Sequence, residues 1–119
     1  MWSNCLFVAL GGGLGAVGRY LLSLIAAPWS FPVMTLLTNF LGAVVIGAVA
    51  QAAGQLPMSK SAVLFLKTGL CGGFTTFSTF SLELLEQGRW AAGGGYILAS
   101  VGLCLAGVLL GRALVWKIL

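Results

Sequence analysis

Residues 72–81 read GGFTTFSTFS, and most of the chain's chemistry is concentrated there. Hydroxyls at Thr75, Thr76, Ser78, Thr79 and Ser81 are interleaved with the rings of Phe77 and Phe80. Two phenylalanines three apart share a helix face and are ordinary core on that spacing alone. Interleaved with hydroxyls, they make a stretch too polar to face lipid, which suits an aqueous or ionic path. Just ahead, Gly72 and Gly73 are followed by Phe74 and the β-branched Thr75 and Thr76, a poor helix centre. A break is expected there. In hydrocarbon a broken helix survives where its loosened backbone groups are buried in protein, line a wet cavity or hold an ion. Freed carbonyls are good ligands for a small hard cation such as Na⁺. A kink satisfied by threonine hydroxyls is the other reading.

Other polar residues stand singly in apolar surroundings. Asn39 follows Thr35 and Thr38, and its amide is either glue between helices or a neutral donor for an anion. Arg19 is the one charge inside the first apolar segment; it either snorkels to the interface or draws anions into a vestibule. Glu83 and Glu86 follow the phenylalanines and belong at a pore mouth or among headgroups. Tyr96 and Ser100, four apart, form a polar stripe on one helix face. With no His and only two carboxylates, a His-based triad, an Asp dyad and a His-ligated metal site are all excluded. Cys5, Cys71 and Cys104 form no C-x-x-C pair and read as small buried apolar side chains.

The elements that must position these groups follow from composition. Of 119 residues, 60% are hydrophobic and 7% charged, against about a quarter charged in a soluble domain. Mean hydropathy is +1.08. An ordinary soluble enzyme is excluded, and an all-α integral membrane protein is expected. A crossing needs roughly 20 apolar residues, which predicts a single domain of four transmembrane helices at about residues 5–25, 32–53, 60–87 and 91–116, the third broken near its middle. The first segment lacks a basic start and contains Arg19, so it is expected to be a retained helix rather than a signal peptide. Trp2, Trp29, Trp90 and Trp116 fall at segment ends, where the interfacial aromatic belt lies.

Four crossings put Lys60, Lys67, Arg112 and Lys117 on one side and Arg19 and Arg89 on the other. Counting only residues clear of the spans leaves Lys60 and Lys117 against Arg89, too small a bias to fix one orientation. The net charge of +4 is scattered, so nucleic acid is not an expected partner; anionic lipid headgroups are. Small residues recur four apart at Gly11/Gly15, Ala43/Gly47, Gly102/Ala106 and Gly107/Gly111, a spacing that lets helices approach within a subunit or between subunits. There is no internal repeat, so any inverted symmetry must come from a second copy of the chain.

Gly12-Gly13-Leu14-Gly15-Ala16 with Arg19-Tyr20, Thr35-Leu36-Leu37-Thr38-Asn39 with Leu41-Gly42, and the run from Gly72 through Ser81 resemble, in order and length, the Fluc (CrcB) family of small fluoride channels. The run over residues 75–81 is the specific part. The resemblance implies an antiparallel, dual-topology dimer in the cell inner (plasma) membrane. Such a dimer exports cytoplasmic fluoride passively through two pores, giving fluoride resistance, with a structural Na⁺ at its interface. It further implies that backbone carbonyls of Gly72 and Thr75 from both subunits hold the Na⁺, that Phe77 and Phe80 line the pore, that Asn39 lies near the fluoride path and that Arg19 is the vestibule arginine. Thr79, Glu83, Tyr96 and Ser100 would match the polar track, and Cys104 would extend it with a thiol, a weaker donor. Aromatic ring edges carry positive potential, and a lining of neutral donors can replace fluoride's water without holding the ion too tightly to release it.

Two other classes share part of this description. A small four-helix proton-coupled multidrug exporter matches in length and span count, but such antiport needs a titratable carboxylate deep in the membrane. The first two spans have none. A purely structural membrane subunit would use the same polar residues only as packing glue.

Overall fold

The computed structural model describes residues 1–25, 33–86 and 90–119, with side chains described for 1–25, 34–82, 94–95 and 97–119. The described residues are mostly helical, with no strand among them. In order, α1 spans Trp2–Ser23, α2 Val33–Gln55 and α3 Lys60–Val63. A π-helical stretch, Leu64–Cys71, then leads directly into α4, Gly72–Phe74. After a break come α5, Ser78–Glu86, and α6, Trp90–Ile118. The expected turn around Pro28 and Trp29, and Arg89, lie outside the described residues.

Among the described residues, three helices are long and apolar enough to cross a membrane: Trp2–Ser23, Met34–Gln55 and Ile97–Ile118. The longest dimension of the molecule is 46 Å, matching a bilayer of about 40–45 Å with its headgroups. The interior is sparse. Among the described residues the buried apolar side chains are Ala43, Cys71 and Phe80, while leucines such as Leu98 and Leu109 face outward. Trp2 and Trp116 stand exposed near helix ends.

Glycine rather than leucine brings the helices together, as expected where lipid removes the hydrophobic drive between them. α1 packs on the π-helical stretch and α4, and α2 packs along α6. A Cβ on Gly15 would overlap the Leu70 carbonyl oxygen, and one on Gly11 the Phe65 carbonyl. Across the second pair, a Cβ on Gly47 would overlap the Val108 carbonyl and one on Gly111 the Val44 carbonyl. These small residues therefore pack within one subunit. Gly102 has open space where its Cβ would be, and Ala106 is exposed, so that pair faces away from the chain's own helices.

The break differs in detail from its sequence signature. Gly72 and Gly73 are themselves helical, Gly72 at φ −62°, ψ −37°. The chain leaves the helix one residue after Phe74, at Thr75, which is extended with φ −86° and ψ 156°. The β-branched threonines, which favour extended backbone, mark the unwinding. Gly73 serves close approach: a Cβ there would overlap the Gly12 carbonyl. The π-helical stretch ahead of the break is unusual in its own right, since π geometry is rare and concentrates at functional sites.

Candidate functional site

Six residues past the start of α2, on its second turn, Asn39 meets the break directly. Its Nδ2 donates to the Thr76 carbonyl at 3.0 Å, and its Oδ1 accepts from the Thr76 N–H at 2.8 Å. One amide thus satisfies both backbone groups of a residue that has left the helix. From α1, Arg19 Nε donates to the Gly73 carbonyl at 3.3 Å. The Thr76 hydroxyl accepts from the Thr79 N–H at 3.2 Å, capping the restarted helix α5. Thr75 Oγ1 donates back to the Cys71 carbonyl at 2.9 Å.

These bonds divert two donors that a continuous helix would use. In a continuous helix the Gly72 carbonyl would accept from the Thr76 N–H, and the Thr75 carbonyl from the Thr79 N–H. Both donors are diverted, the first to Asn39 and the second to the Thr76 hydroxyl. The carbonyls of Gly73 and Thr76 receive side-chain donors instead. Gly72 is exposed, with open space at its Cβ position. Two oxygens that have lost their helical donors, at an outward-facing stretch of backbone, fit the oxygen-only chemistry of Na⁺. Among the described residues no cluster of His, Cys, Asp or Glu could hold a metal ion.

Two cavities flank the break. A groove of about 580 Å³ is lined by Asn39, Phe77, Phe80 and Ser100, together with Gly72, Thr75, Cys71 and Cys104. A second cavity, of about 480 Å³, is lined by Arg19, Thr79, Thr35, Thr38 and Thr76. The candidate residues therefore fall into two groups, with Arg19 and Thr79 in the second cavity and the others in the groove. Glu83 lies on α5 and Tyr96 on α6, but their side chains are outside the described residues.

The two phenylalanines touch, their ring centroids 6.0 Å apart at 39° between planes, yet they do not share a helix face. Phe80 is 2% exposed inside the chain, whereas Phe77 lies in the break, ahead of α5, and is 73% exposed. Ser100 is buried at 6% exposure. Thr38 is buried too, and its hydroxyl donates to the Met34 carbonyl at 2.7 Å.

Some lining residues were not assigned to the site from the sequence. Lys67 and Thr68 line the groove from the π-helical stretch, and Gly42 lines it from α2. Lys67 is four residues before Cys71, a spacing that puts both on one helix face, and this was the available signal. Gly42 is required where it is because a Cβ there would overlap Thr75 Cγ2.

Known proteins extend the comparison. The sequence matches the family described as "CrcB-like protein, Camphor Resistance (CrcB)" over residues 6–112. It is 47% identical over 115 residues to the "Fluoride-specific ion channel FluC" of Roseiflexus sp. (strain RS-1), covering 91% of this chain and 93% of the relative. It is 46% identical over 122 residues to the protein of the same name from Shewanella frigidimarina (strain NCIMB 400), covering 97% and 98%. The relative from Ruminiclostridium cellulolyticum, also so named, is 43% identical over 118 residues, covering 93% and 91%. With a match along nearly its whole length and relatives this similar, the chain belongs to the CrcB family.

Proposed function

We propose that this protein is a fluoride channel that passively exports cytoplasmic fluoride and so confers fluoride resistance. The observation that carries the reading is the groove in which the Asn39 amide, the Phe77 and Phe80 rings and the Ser100 hydroxyl meet, within a family whose curated relatives are named fluoride-specific ion channels. These four groups are neutral donors and ring edges, of the kind that lets a small, tightly hydrated anion shed water and still leave. Those relatives are named as channels, not enzymes. Proton-coupled drug export needs a titratable carboxylate deep in the membrane; the chain has two, Glu83 and Glu86, both on α5 beyond the break.

On this reading the chain crosses the inner (plasma) membrane four times and functions as an antiparallel homodimer with two pores. The weak charge bias supports dual topology. The outward-facing Phe77, Gly72 and the Gly102/Ala106 stripe are surfaces a second copy would cover. The carbonyls of Gly72 and Thr75, doubled by two-fold symmetry, would hold a structural Na⁺ at the centre of the dimer. When bound, Na⁺ would supply positive charge to oxygens left without donors in a low-dielectric site. Arg19 would attract anions to the vestibule, and Thr79, Ser100, Tyr96 and Glu83 would continue the path.

Expression in a fluoride-sensitive bacterium that lacks its own exporter tests the function in the cell. Growth on fluoride should be restored to the expressing strain. Sensitivity equal to an empty-vector control, with the protein present in the membrane, would overturn the reading.

A further inference from the structure

The two cavities flanking the break share one lining residue. Thr76 borders both the Arg19 cavity and the groove of Phe80 and Ser100. None of the other lining residues does so. We infer that Thr76 is the partition between vestibule and pore, and that its hydroxyl passes fluoride from the Arg19 side to the Phe80 side. This rests on the fluoride reading above and adds to it a residue that the sequence singled out only as part of a polar run.

The hydrogen bonds around Thr76 hold it for this role. Its backbone is pinned on both sides by Asn39, N–H to Oδ1 at 2.8 Å and carbonyl to Nδ2 at 3.0 Å, so the residue cannot swing out of the wall. Its hydroxyl oxygen accepts from the Thr79 N–H at 3.2 Å. A hydroxyl has one proton to give and two lone pairs to accept with. Accepting from Thr79 therefore leaves the Thr76 proton available. The neighbouring Ser78 hydroxyl, 3.3 Å away, can act as donor or acceptor in that contact. When Ser78 donates, the Thr76 proton is free to point at an anion; when the anion leaves, the proton returns to Ser78. A donor that has an alternative acceptor one contact away can release its ion readily, which conduction requires. Thr79 on the vestibule side and Ser100 on the groove side place hydroxyls before and after the partition.

Liposome efflux of Thr76→Val and Thr76→Ser, normalised to folded dimer, tests this. Valine keeps the shape of threonine and removes the hydroxyl; serine keeps the hydroxyl. Fluoride flux should fall about tenfold or more in Thr76→Val, the scale of one lost charge-assisted hydrogen bond. Thr76→Ser should conduct nearly as the wild type does. If Thr76 only caps α5, Thr76→Val should melt lower while its flux per folded dimer is unchanged, and that result overturns the inference. Should the valine variant fail to fold, Thr76→Cys provides the second measurement. Its flux should drop, and a thiol-reactive reagent should block it well beyond the effect on wild-type protein, whose own cysteines serve as the control. A Thr76→Cys channel that conducts normally and is no more sensitive to the reagent than wild type also overturns it. Absent wild-type flux would overturn the fluoride reading itself, whereas normal wild-type flux with indifferent variants overturns this inference alone.

Discussion

Asn39 and Thr76 bind each other twice, with the side-chain amide of one reproducing for the backbone of the other the two hydrogen bonds that the broken helix has lost. Asked from sequence whether Asn39 is helix glue or an anion donor, the structure makes it glue of a specific kind. It also leaves Asn39 on the groove wall. Each unpaired backbone group in a dry site costs about 1–3 kcal/mol. Asn39→Leu removes both partners, so the expected outcome is a destabilisation of a few kcal/mol with loss of fluoride flux. Thermal unfolding in detergent beside an efflux assay checks this. A variant as stable as the wild type would mean that Thr76 finds other partners.

The glycine contacts make a contrasting prediction. Gly15→Ala and Gly111→Ala each drive a methyl into a carbonyl oxygen on a neighbouring helix. Overpacking of this kind costs about 1–3 kcal/mol. Gly102→Ala meets open space within the subunit, so the subunit should tolerate it. Yield of monodisperse protein and melting temperature separate the two sets; equal behaviour would show that helix spacing is not set at these positions.

Phe77 and Phe80 should respond differently to the same substitution. Replacing either by Ile removes a ring edge from the groove and should suppress fluoride flux. Phe80 is buried within the chain and Phe77 is largely exposed, so Phe80→Ile should also lower subunit stability while Phe77→Ile should not. Dimer content by size-exclusion chromatography should survive Phe80→Ile. Normal flux in either variant would remove that ring from the path.

If the proposed Na⁺ site exists, sodium should be recognised by the folded protein. For a ligand that binds only the folded form, stabilisation grows by about 1.4 kcal/mol for each tenfold rise above its dissociation constant. Melting temperature should therefore climb with Na⁺ at constant ionic strength and should not climb with a bulky organic cation. If the two cations gave identical curves, the break would be a kink without an ion.

Much of this was legible in the residues. Hydropathy exposed the helical membrane character, and the small-residue spacing at Gly11/Gly15 and Gly107/Gly111 marked contacts that the structure contains. The paired glycines followed by Thr75 and Thr76 marked the neighbourhood of the break, which falls at Thr75. What stayed hidden depends on partners distant in the chain. The glycines of the break stay helical, and Gly73 serves the close approach of α1 rather than unwinding. The helical period placed Phe77 beside Phe80 on one face, but the period does not continue through a break. The π-helical stretch Leu64–Cys71 has no local signature, since it shifts hydrogen-bond register without changing which residues are apolar. The meeting of Asn39 with Thr76, 37 positions apart, was likewise beyond any local pattern.

Passive fluoride permeation is the central claim, and purified protein in liposomes loaded with fluoride tests it most directly. With an ionophore to dissipate the membrane potential, fluoride should leave without ATP and without a proton gradient, while chloride efflux under matched conditions stays far smaller. Fluoride release no faster than from protein-free liposomes would contradict the account.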